Sequence, residues 1–192
     1  MPPQPVTAKE CEDAAPDLCY ELRAMAQARD LNAYAKQQTD PKHTDSMLVI
    51  RNCAIESFLL HYRALREFFS SLSKTNPDNL KARDYLPTWQ TSASWVTGQQ
   101  EIDRIHKRLA HPSRKRQTLD NNWDLAHMEW SVIQTFEDFI SKLAPHQQLW
   151  FQEATDLLNK RKPASAVVLG ADSNSTASGG QPIMTFPPFE DQ

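Results

Sequence analysis

Glycine is nearly absent from this chain until its end. Of the four glycines in 192 residues, only Gly98 precedes residue 170; the others are Gly170, Gly179 and Gly180. Tight β-turns need residues that tolerate positive φ, and glycine supplies them at the lowest steric cost. A long stretch with a single glycine therefore points to few, long helices joined by polar or proline-marked loops. The fold class read from the sequence is all-α, a compact bundle of four to five long amphipathic helices. A chain of this length buries such a core as one domain, without a metal or disulfide staple.

Hydrophobic spacing places the helices. Residues 1–13 are rich in proline and acid and read as a disordered segment; residues 14–162 read as the helical domain. A first helix is expected from about Pro16, which suits a first turn, to Gln38, with Leu18, Leu22, Met25, Leu31 and Tyr34 along one stripe. The second, Thr44 to Ser73, is the most regular. Leu48, Ile55, Tyr62 and Phe69 recur every seven residues beside Phe58, Leu65 and Leu72, which makes one continuous apolar face. Residues 74–92 break helical structure at Pro77 and Pro87, but Tyr85, Leu86 and Trp89 should pack that loop onto the bundle.

A third helix, Ser94 to Ala110, presents Trp95, Ile102, Ile105 and Leu109 and stops before Pro112. A fourth, Asn121 to Ala144, carries Trp123, Ala126, Trp130, Ile133, Phe136, Ile140 and Leu143 at spacings of three and four. A fifth, after Pro145, runs to Lys162 on Leu149, Trp150, Ala154, Leu157 and Leu158. Residues 163–192 are low in complexity and too polar to bury, and read as a disordered tail.

Composition excludes several functions. With 21 basic and 24 acidic side chains the net charge is −3, so the chain is no bulk polyanion binder and any nucleic-acid role must be local. Cys11, Cys19 and Cys53 form no CxxC and no disulfide framework. There is no basic, apolar leader and no apolar run of the ~18 residues a membrane helix requires. The reading is a soluble, cytoplasmic protein with no membrane partner. A phosphate-cradling glycine loop, GxSxG and HExxH are all missing. His106 and His111 would lie about 140° apart on an ideal helix, and Asp124 with His127 offers only a second partial set. No metal site and no cofactor are expected.

One cluster stands out. Between Arg104 and Leu119 the chain has six cations, Arg104, Lys107, Arg108, Arg114, Lys115 and Arg116, with His106, His111 and no acid. Arg104, Arg108 and His111 share the helix face opposite Ile102 and Ile105. Arginine offers a planar fork to phosphate, so the six cations are candidate nucleic-acid contacts. The plainer alternative is a solvated helix end whose cations suit the dipole.

Taken together, RNCAIESFLLHYRALREFF (51–69) and EIDRIHKRLAHPS (101–113) resemble a HEPN-type domain. In such bacterial families a glutamate-bearing core helix precedes a helix ending in a polar-basic-x-x-Ala-His step. The resemblance implies an arginine, four to six residues, then histidine, with the motifs of two protomers meeting at a dimer interface for metal-independent RNA cleavage. Arg104 and His111, six residues between, match that spacing and are the catalytic candidates. Other HEPN-like proteins are non-catalytic binding or dimerisation modules. The leading expectation is such a module, binding RNA or a partner protein as a homodimer. The alternatives are a ribonuclease of toxin or phage-defence type and a purely structural interaction protein. In the ribonuclease, Arg104 would steady the phosphate and His111 would do acid–base work at the 2′-OH.

Overall fold

The structure, a computed structural model, describes residues 5–38, 40–70, 79–90, 104–106, 109 and 123–161. Among these residues every regular element is helical and there is no strand. Helix α1 (Ala8–Gln37) and helix α2 (Thr44–Phe69) are joined through a 3-10 turn at Pro41–His43, and this hairpin forms the largest helix–helix contact. A single turn, α3 (Ala82–Tyr85), follows. Helix α4 (Leu125–Lys142) packs on both arms of the hairpin. The chain then turns through α5 (Pro145–Gln148) and a 3-10 turn at Leu149–Phe151 into α6 (Gln152–Arg161), which lies along α1. Residues 104–106 and 109 are helical as well.

Helix α1 starts inside the 1–13 segment expected to be disordered, so residues 8–13 are helical, while residues 1–4 lie outside the described residues. It begins at Ala8 because Thr7 and Glu10 form a capping box. The Glu10 N–H donates to Thr7 Oγ1 at 3.2 Å, and the Thr7 N–H donates back to Glu10 Oε2 at 2.7 Å. Two donors that a helix start leaves orphaned are thereby satisfied. Pro16 consequently lies inside the helix, not in its first turn. An interior proline costs about 3 kcal/mol or more. The helix runs through it because Cys11, Ala15, Cys19, Leu22 and Met25 are all buried on the inner face.

The C-terminus of α2 is closed by side chains of the following loop. Lys81 Nζ donates to the Glu67 carbonyl at 2.7 Å, and Trp89 Nε1 donates to the Phe69 carbonyl at 3.1 Å. These are carbonyls that no further helical turn can use. Tyr85 Oη donates to the Cys11 carbonyl at 2.7 Å, and burial pushes the Tyr85 phenol pKa well above its ordinary value. Tyr85 and Trp89 thus pack onto the bundle, with their polar tips satisfied.

The core is aromatic where α2, α4 and the loop meet. Phe139 lies edge-on to Phe69 at 5.5 Å, Phe68 at 5.5 Å, Trp89 at 5.5 Å and Phe151 at 5.6 Å. The α2 stripe is buried at Phe58, Tyr62, Leu65 and Phe69, but Leu48 is exposed and Ile55 only partly covered. On α4 the expected stripe needs rotation. Ile133, Phe136, Ile140 and Leu143 are buried, whereas Trp130 is 42% exposed and Ala126 is exposed; Met128, Glu129 and Val132 lie inside instead. Leu31, Tyr34 and Leu149, also expected inside, are exposed. Of the expected third helix only 104–106 and 109 are described, and residues 163–192 lie outside the described residues.

Two stability outcomes follow from this packing. Thr7→Ala should lower the unfolding free energy by about 1 kcal/mol, the usual worth of a helix N-cap; an unchanged urea midpoint would mean the α1 start contributes nothing. Phe136→Ala should cost about 3–5 kcal/mol as a large-to-small core change, while Trp130→Ala should cost much less. Equal losses in chemical denaturation would contradict the rotated face.

Candidate functional site

The basic segment starts where the chain is fastened to the core. Ile105 has no exposed surface, so the backbone at this point is held against the bundle. Its neighbour Arg104 is half-buried, and its guanidinium carbon lies 4.3 Å from the centre of the Trp123 ring. Trp123 packs against the core with its Nε1 buried and unpartnered. This is a cation–π contact at close range, and it joins the basic segment to the approach of α4. His106 is half-buried, with Nε2 likewise buried and unpartnered. Of the residues expected to act together, only Arg104 falls among the described side chains. Lys107, Arg108, His111, Arg114, Lys115 and Arg116 lie outside the described residues.

A second charged cluster escaped the sequence reading. Glu129, 3% exposed, sits inside α4 facing α1 and α6. It pairs with Arg29 and with Arg161, whose Nη1 lies 3.2 Å from Glu129 Oε1 and 2.9 Å from Asp30 Oδ1. Arg23 on α1 pairs with Glu153 on α6 nearby. Burial raises the Glu129 pKa; the two arginines oppose that shift without cancelling it, and Asp30 adds to it. The geometry shows a paired carboxylate while the pKa direction shows a costly one. Both hold, because removal from water outweighs attraction across a cluster whose arginines are themselves partly solvated. Through these pairs it clamps α1, α4 and α6 together. Its sequence signal was a glutamate on an otherwise apolar face.

A groove of about 270 Å³ opens between α1, α2 and residues 79–81. Asp17, Glu21, Glu67 and Lys81 line it over Leu18 and Phe68, with no Ser, Thr or Cys among the lining residues. Glu21 Oε2 lies 2.8 Å from His61 Nδ1, and the Tyr20 ring meets the imidazole edge-on. That arrangement orients a histidine without giving it a nucleophile to activate. Burial pushes the Cys11 and Cys19 thiols up, away from thiolate chemistry. Asp124, one half of the weak metal pairing, caps α4 by accepting the His127 N–H at 3.0 Å. Among the described residues no group of three or more His, Cys, Asp or Glu could hold a metal ion, and no helix is long and apolar enough to cross a membrane.

No family model, curated protein or solved structure matches the chain.

The Glu129 cluster carries a pH signature. A raised folded-state value means that the native protein holds this proton where the unfolded chain has lost it. Stability is then fully present below the ordinary carboxylate value near 4.5 and falls as pH rises through the raised value. Glu129→Gln keeps the shape and removes the titration. The wild type should therefore lose stability relative to Glu129→Gln as pH rises from about 4.5 upward, read from urea midpoints. Parallel pH curves for the two proteins would refute a raised Glu129.

Proposed function

We propose that this chain is a HEPN-like helical module that binds RNA through the basic segment beginning at Arg104, acts as a homodimer and does not cleave what it binds. The observation that supports the reading is the attachment of that segment. Ile105 is wholly buried while Arg104 stays half-exposed on Trp123. The cations that follow, Lys107, Arg108, Arg114, Lys115 and Arg116, are dense and uninterrupted by acid. In a chain of net charge −3 such a run is the one place where counterion release can be concentrated. Arg104 is engaged with a ring, which suits positioning and binding more than the mobile phosphate clamp of a nuclease. The same contact favours a second reading, in which the segment is a structural helix end tied down by a cation–π pair and the surface serves a protein partner.

Salt dependence separates the two. Single-stranded RNA should bind with a log–log salt slope of about −0.7 per phosphate contact. Arg108→Ala and Arg114→Ala should each flatten the slope by about that amount, and Lys9→Ala, on the exposed start of α1, should leave it unchanged. The RNA should remain intact after incubation with or without EDTA. Absence of RNA binding at low salt would sink the reading in favour of the structural one, and cleavage lost in His111→Ala would replace it with the ribonuclease.

A further inference from the structure

We infer that the groove between α1, α2 and residues 79–81 is a docking site for an arginine side chain of a partner protein. The inference goes beyond the RNA reading and does not rest on it, since no residue of the basic segment lines the groove. Leu18, Ala64, Phe68 and Leu80 give it an apolar lining. Asp17 and Glu21, one turn apart on α1, and Glu67 of α2 bring three carboxylates to it. These are not equally free. Glu67 Oε1 accepts from Arg63 Nε at 2.8 Å, and Glu21 Oε2 lies 2.8 Å from His61 Nδ1. Lys81, the cation among the lining residues, donates to the Glu67 carbonyl at 2.7 Å. Asp17 accepts no hydrogen bond and joins no ion pair among the described residues.

An apolar groove with a spare carboxylate suits a cation on an aliphatic stem. The stem covers the apolar lining while the charged head meets the carboxylates. Guanidinium is favoured over ammonium, because its planar fork bonds carboxylate oxygens in pairs and it is more weakly hydrated. The groove, about 270 Å³, is smaller than the roughly 300–1,000 Å³ of small-molecule pockets, so it takes one long side chain and not a cofactor. Tyr20 selects a protein as the source of that side chain. It is next to Glu21 on α1, 51% exposed, and its ring meets His61 edge-on at 5.7 Å. Protein interfaces enrich tyrosine at such positions and draw binding energy from it. The partner chain that carries the arginine lies across Tyr20, which a free guanidine leaves uncovered.

The test is a titration of the full chain with a capped Leu-Arg-Leu tripeptide, followed by amide chemical shifts. The shifts should fall on Leu18, Glu21 and Leu80 and spare Glu129. Citrulline in place of the arginine keeps the shape and removes the charge. It should weaken binding on the order of tenfold, the scale of a hydrogen bond to a charged group. Asp17→Asn should weaken the arginine peptide about two- to fivefold, as a partly solvated ion pair does, with circular dichroism showing the fold kept. Tyr20→Ala should weaken the peptide but leave butylguanidine, a bare arginine side chain, where it was. No saturable shift, shifts away from the groove, or equal affinity for the arginine and citrulline peptides would overturn the site. Butylguanidine binding as tightly as the peptide would overturn the protein partner in favour of a small guanidine. RNA affinity and its salt slope should be the same in Asp17→Asn as in the wild type, so a failure of this site and a failure of the RNA reading are seen separately.

Discussion

Phe139 is the side chain on which the helices converge. Its ring meets Phe68 and Phe69 of α2, Tyr85 of α3, Trp89 of the loop that follows, Phe136 of its own helix and Phe151 of the 3-10 turn. A chain so poor in glycine makes long helices and few tight corners, so its problem is to bring distant helix ends together. Edge-to-face aromatic pairs do this with large buried area and a defined geometry. The polar cost at the same place is met by two of those aromatics. Tyr85 and Trp89 donate to carbonyls of α1 and α2, so the loop after α2 acts as a cap and as part of the core at once.

Ten residues earlier on α4, the packing follows a different logic. Glu129 is held between Arg29 and Arg161, and Asp30 shares the second arginine. Ion pairs removed from water gain little net stability, but deleting one partner strands the other. Such a cluster specifies register more than it adds stability. Only one alignment of α6 on α1 and α4 brings Arg161 to both carboxylates and Arg23 to Glu153. Because α4 is one continuous helix, the aromatic and ionic clusters lie about 15 Å apart on a rigid rod. The first supplies cohesion and the second fixes which helices meet.

This division explains what could be read in advance. The central stretch of α2 was legible because Phe58, Leu65 and Phe69 bury by periodicity alone. The first turns of α2 were not, since Leu48 continues the seven-residue pattern and yet stays exposed. On α4 the charge at position 129 makes a side that is in fact core look solvated, and spacing alone favours a stripe through the exposed Trp130. Periodicity treats a glutamate as polar wherever it falls; only the tertiary partners Arg29 and Arg161 make it a core residue. The start of α1 was legible in principle, as Thr7-x-x-Glu10 is a capping-box pattern, but the surrounding prolines and acids outweighed it. Of the candidate site, sequence found the density of cations. It could not find that Arg104 rests on Trp123, a contact between residues 19 positions apart.

That contact bears on how the basic segment works. A cation on a free helix end samples many rotamers and meets phosphate as a screened point charge. Arg104 instead has its guanidinium carbon 4.3 Å from the centre of the Trp123 ring, next in sequence to the fully buried Ile105. The cost of fixing it is met by folding, through the same core that Phe139 organises, and not by the ligand. On the RNA-binding reading proposed above, a fixed guanidinium beside a run of cations would combine orientation with attraction: the run would gather a polyanion, and the seated arginine would give it a fixed point on the bundle. The acidic balance of the rest of the chain sharpens this, because a polyanion finds no second positive surface of comparable density in the sequence. Binding, on that proposal, would be specified where Ile105 ties the basic segment to the core.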